Sequence, residues 1–83
     1  MEWLITHCLC METSGIYVII VQADNIRLIA TVSFATTLLP GDILYPARDA
    51  RYLVNREKDR IVKVLRSVKY TVSDWRQVKN TLH

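Results

Sequence analysis

Eighty-three residues with a net charge of +3 and 51% hydrophobic side chains are the length of one domain, residues 1–83, and a chain this short buries only about 60–65% of the surface its unfolded form exposes. Cys8 and Cys10 are the only cysteines; one residue apart, they bridge poorly, which argues against a disulfide scaffold. The acid of Met1-Glu2-Trp3 stands where a secretory signal has basic residues, and the longest apolar runs, Tyr17 to Val21 and Leu28 to Ala30, fall far short of a membrane span, so the expectation is a cytoplasmic protein with no membrane partner.

In chain order, Trp3, Ile5, His7, Leu9 and Met11 occupy alternate positions of Glu2 to Met11. That spacing suits a strand, although ten residues leave a helix open. Thr13-Ser14-Gly15 reads as a turn. Ile16 to Gln22 is the firmest strand, almost entirely β-branched or aromatic. Both of its faces are apolar, which predicts cover on both sides and, in so small a protein, a neighbouring subunit. Asp24-Asn25 is the break of a tight hairpin. Ile26 to Phe34 follows, with Ile26, Leu28, Ala30, Val32 and Phe34 inward, Arg27, Thr31 and Ser33 outward, and Ile29 interrupting the outward face.

Leu39-Pro40-Gly41-Asp42 is a turn by composition. Ile43-Leu44-Tyr45 is a short strand that Pro46 ends, and Arg51 to Asn55 is another. Arg56 to Asp59 reads as a charged loop. Arg60 to Val72 is the longest strand signal, with Val62, Val64, Val68, Tyr70 and Val72 alternating with Lys63, Leu65, Ser67, Lys69 and Thr71. Thr71-Val72-Ser73-Asp74 has the form of a capping box, with Ser73 a competing cap. Trp75, Val78 and Leu82 then recur at helical spacing, predicting a short C-terminal helix across an open end of the sheet. The sum is an all-β fold: a small five- or six-stranded antiparallel barrel with one short C-terminal helix.

No catalytic constellation emerges. His7 lies on the alternating face of the first strand, where packing explains it, and His83 is the last residue. His7, Cys8 and Cys10 lack the second ligand pair that a zinc site requires. With Gly15 and Gly41 the only glycines, no phosphate-cradling loop can be built. Glu57 and Asp59 sit among Arg56, Lys58 and Arg60, which balance them. The expectation is a non-enzyme without metal or cofactor.

Charge is the feature that asks for a partner. Residues 1–46 hold one basic residue, Arg27, against four acids, a net −3, whereas residues 47–83 hold ten against four, a net +6. A solvated polar face accounts for such a split, and so does an anionic ligand. Arg48, Arg51, Arg56, Lys58 and Arg60 crowd the region before the last strand, with Tyr45 and Tyr52 near in sequence, and Lys63 and Lys69 follow. Cations beside rings are the equipment for holding single-stranded nucleic acid. Arg66 falls on the valine-bearing face of its strand, where its charge must emerge at the rim, meet a carboxylate of another subunit, or meet a ligand.

Val64-Leu65-Arg66-Ser67 resembles the hydrophobic-Leu-Arg-Gly step of the Sm-like small β-barrel family, with Ser67 in the glycine's place, and the bent-barrel pattern is similar to Src-homology-type barrels too. The resemblance implies a ring-shaped oligomer that binds RNA. It makes Arg66 the base-holding arginine, Asn55 the counterpart of the family's asparagine and Tyr52 the stacking residue; the charge pattern, apart from the resemblance, adds Arg48, Arg51 and Lys63 as nucleic-acid contacts. The alternative expectation is a structural assembly module without ligand, such as a ring or connector of a viral particle.

Overall fold

The computed structural model describes residues 1–11, 15–34 and 37–81. Six strands and one helix follow in order: β1 Trp3–Met11, β2 Ile16–Ala23, β3 Ile26–Phe34, β4 Ile43–Pro46, β5 Arg51–Val54, β6 Ile61–Lys69 and α1 Val72–Thr81. The strands close into an antiparallel barrel in the order β1-β2-β3-β6-β5-β4. This is the expected fold class with the six-strand count. Of the expected turn at Thr13-Ser14-Gly15, the first two residues lie outside the described residues, as do Leu82 and His83.

Two apolar clusters divide the molecule. Ile5, Tyr17, Ile19, Val21, Ala30, Val32, Leu44, Val54 and Val62 fill the barrel, with Leu38 from the loop beyond β3. Val18, Ile20, Ile29 and Trp75 form a second cluster on the outside, joined by Leu9, Tyr70 and Val78. Alternation along β2 sends Ile19 and Val21 inward and Val18 and Ile20 outward, and α1 lies over the outward set. Ile29, the residue that interrupted the outward face of β3, belongs to that outer cluster. The helix therefore packs on the wall of the barrel and not across its end.

This placement removes the reason for self-association. All five residues from Tyr17 to Val21 are buried within one chain, so β2 needs no second subunit to cover it. Its two apolar faces therefore give no ground for the expected homo-oligomer.

Two bulges shift the facing of residues that sequence alternation had placed together. In β1, Ile5 pairs with Val21 but His7 pairs with Ile20, leaving Thr6 extra. Beyond it the phase inverts: Cys8 packs on the barrel core, and Leu9 on the outer cluster. His7 meets Trp75 edge-to-face with ring centroids 6.0 Å apart. In β6, Thr31 pairs with Arg66 but Val32 pairs with Val64, leaving Leu65 extra. A single added residue turns every later side chain to the other face.

A local signal sets the start of α1. Thr71 Oγ1 accepts the Asp74 N–H at 3.0 Å, so Thr71 is the cap and Ser73 is inside the helix. At Asp24, Asp49, Ala50, Asn55 and Arg56 the backbone has positive φ, between 53° and 63°. Asp and Asn adopt this region at little cost, whereas alanine and arginine do not.

Candidate functional site

The ten basic residues of the second half divide by use. Arg60 donates to Glu57 Oε2 at 2.6 Å and to the Thr37 carbonyl at 2.9 Å, and lies 3.5 Å from Asp42. The Glu57 hydrogen bond, outweighing desolvation and aided by the charges of Glu57 and Asp42, raises the Arg60 pKa above its ordinary value. Its role is to tie the β5–β6 turn to the loop before β4. Arg56 stacks over the Tyr45 ring at 4.5 Å and reaches Glu2 at 3.9 Å. The other eight, Arg48, Arg51, Lys58, Lys63, Arg66, Lys69, Arg76 and Lys79, form no salt bridge among the described residues.

Two of these share one surface, and a third lies on the turn next to it. Arg51 and Lys63 are directly opposed across β5 and β6. Their neighbours Tyr52 and Val62 pack toward the barrel core, so Arg51 and Lys63 point outward. Arg48, on the β4–β5 turn, accepts the Arg51 N–H at 3.1 Å through its carbonyl. Exposed Ile61 and Leu65, at 44% and 51% of their full accessibility, flank Lys63 in sequence. The result is a cationic surface interleaved with aliphatic side chains.

Like charges placed directly opposite on neighbouring strands are destabilising. Lys63→Glu should therefore stabilise the fold by about 0.2–1 kcal/mol, seen as a higher urea midpoint. Lys63→Arg should leave the midpoint unchanged.

The remaining sequence-derived residues lie elsewhere. Arg66 follows the Leu65 bulge and pairs with Thr31. It is exposed on the outer wall, beside a groove of about 410 Å³ between α1 and the sheet that Val18, Ile29, Thr31, Val68 and Val78 also line. It is not a buried charge among valines, because the bulge separates it from Val62 and Val64. Tyr52 is half-buried against the barrel core. Asn55 is occupied by the fold: its Oδ1 accepts the Ile43 N–H and its Nδ2 donates to Asp42 Oδ1, both at 3.0 Å. Sequence reasoning missed this link, since Asn55 and Asp42 are thirteen residues apart and only the barrel closure brings them together.

Among the described residues, no three of His, Cys, Asp and Glu gather as metal ligands. Among them, too, no helix is long and apolar enough to cross a membrane. The His7 ring lies against Thr6 Oγ1 at 3.1 Å and against Trp75.

Residues 1–76 match the IraM/PmrD family. This chain belongs to that family. It is 31% identical over 80 residues to the signal transduction protein PmrD of Salmonella typhimurium strain LT2, covering 94% of each chain. It is 35% identical over 82 residues to the PmrD of Escherichia coli K12, covering 95% of this chain and 93% of that one. The crystal structure of E. coli PmrD has the same fold, with a TM-score of 0.94 at 30% identity over the whole of both chains. The solution structure of PmrD from Klebsiella pneumoniae gives 0.81 at 25% identity, over 95% of this chain and 99% of that one.

Membership in the IraM/PmrD family overturns three expectations. The small β-barrel stands, but the family reached is not the Sm-like one. RNA or single-stranded nucleic acid as partner is corrected, because the relatives are signal transduction proteins. A ring or connector of a viral particle is corrected on the same finding. The four-residue Sm-like match carried no fold information of its own: its Leu65 is the bulge residue and its Arg66 sits outside.

Proposed function

We propose that this chain transmits a signal by binding a protein partner, not by catalysis, and that an acidic surface of the partner covers the outer face of β5–β6. The observation that carries this reading is the opposed pair Arg51 and Lys63, which no carboxylate among the described residues neutralises. A partner carboxylate there offsets the repulsion, and Ile61 and Leu65 supply apolar contact beside it. Interfaces of this type combine a desolvated aliphatic centre with charges that steer the encounter. The names of the PmrD relatives support a signalling role, and the reading places it in the cytoplasm.

A photo-crosslinking amino acid at Leu65, introduced in living cells, tests the proposal. The expected product is a covalent adduct with one protein, identified by mass spectrometry. That protein, purified, should bind the native chain, and Lys63→Glu should weaken the complex at least about tenfold, with strong dependence on ionic strength. The substitution thus stabilises the fold and weakens its complex. An oligonucleotide adduct, or a complex indifferent to Lys63→Glu, overturns the reading.

A further inference from the structure

The barrel does not close along its full height. β5 pairs with β6 only at Arg51–Lys63, Tyr52–Val62 and Leu53–Ile61, whereas β3 pairs with β6 as far as Lys69. The last bond on the β5 side joins the Val64 N–H to the Ala50 carbonyl at 2.9 Å. Beyond it, one edge of β6 has no strand beside it among the described residues.

The orientation of that edge follows from the ladder. The Tyr70 N–H donates to the Arg27 carbonyl of β3 at 3.1 Å. Backbone groups alternate in direction along a strand, so those of Val68 and Arg66 also face β3. Those of Ser67 and Lys69 face away, toward the open edge. Next to it is a shallow apolar mouth of the barrel, about 60 Å³, lined by Trp3, Leu28, Tyr52, Val64 and Ser67 among others.

We propose that β6 accepts an added strand along Ser67–Lys69, and that its occupant is an extended segment of a protein partner with alternating apolar and acidic residues. The inference rests on the protein-partner reading above and specifies the mode of binding. Backbone bonds to Ser67 and Lys69 supply affinity. Alternate side chains drop into the mouth between Trp3 and Tyr52, while the intervening ones lie beside Arg66 on the outer face. Charge selects an acidic occupant, since Arg66, on the outer face, forms no salt bridge among the described residues. A second copy of the chain is disfavoured for the same reason, because pairing edge to edge sets this cation against its own counterpart. Unpaired edges of this kind are sites where strands add.

The test uses the full chain and a fluorescent peptide, Glu-Val-Glu-Val-Glu-Val-Glu. The expected result is saturable binding, lost when lysine replaces glutamate or when the peptide's edge-facing amides are N-methylated. In hydrogen exchange followed by NMR, the Ser67 and Lys69 amides should slow at least about tenfold with peptide bound. Ser67→Pro removes one outward donor and leaves the β3 ladder whole, so it should abolish binding while the chain stays folded. Absence of binding at millimolar peptide, binding without slowed exchange at Ser67 and Lys69, or their protection by concentrating the protein alone overturns strand addition. A crosslinked partner that binds Ser67→Pro normally but loses affinity for Lys63→Glu refutes the strand mode and leaves the protein-partner reading standing.

Discussion

Replacing Trp75 with alanine should cost about 3–5 kcal/mol, the range for deleting a large buried aromatic. Trp75 is 8% exposed and packs against Val18, Ile20 and Ile29, with the His7 ring at its edge. At about 4–8 °C per kcal/mol for a domain of this size, the melting temperature should fall by more than ten degrees. The consequence is also qualitative. Without its aromatic anchor α1 loosens, and the outward side chains of β2 become an exposed apolar patch, of the kind that drives association. Trp75→Ala should sediment as larger species than the native chain at the same concentration. A loss under 1 kcal/mol with a product no larger than the native chain would show that α1 contributes little to the fold.

Ile19→Ala should cost about 2–5 kcal/mol, because its side chain is fully buried in the barrel and the surrounding strands cannot collapse onto the cavity. Ile20, its neighbour in sequence, belongs to the outer cluster. The two cores therefore predict different couplings. Trp75→Ala and Ile20→Ala share a contact cluster and should combine non-additively, by about 0.5–3 kcal/mol. Trp75→Ala and Ile19→Ala belong to different clusters and should add to within about 0.5 kcal/mol. Urea denaturation of the three single variants and the two doubles decides the matter; equal coupling in both pairs would mean a single merged core.

The strands were legible because composition and alternation report them directly. Tyr17 to Val21 could be nothing but a strand, and the Asp24-Asn25 break placed the β2–β3 hairpin. The facing of residues was legible only up to the first bulge. Periodicity grouped His7 with Ile5 and Arg66 with Val64, and each pair is separated by one extra residue, Thr6 or Leu65, that no local signal marks. The amphipathic stripe of α1 was plain, but where it would land was not. The doubly apolar β2 and the apolar face of α1 were two halves of one contact, and reading them separately produced the oligomer.

The candidate surface was legible as charge but not as geometry. Counting cations found Arg48, Arg51, Lys63 and Arg66, and the Sm-like resemblance added Asn55. Only the barrel shows that Arg51 and Lys63 oppose each other, that Arg66 stands past a bulge, and that the Asn55 amide is committed to Ile43 and Asp42. The unpaired length of β6 depends on β5 being shorter, which no property of β6 itself announces.

The β4–β5 hairpin is joined to its neighbours by two residue pairs on the β1 side and three on the β6 side, and two of its turn residues, Asp49 and Ala50, have left-handed backbone. The four longer strands are joined to one another by seven or eight residue pairs at each seam. Among the strands the hairpin is thus the pair that detaches at lowest free energy, swinging out as a flap from the four longer ones. Its departure would lengthen the free margin of β6 by the three positions that β5 now occupies.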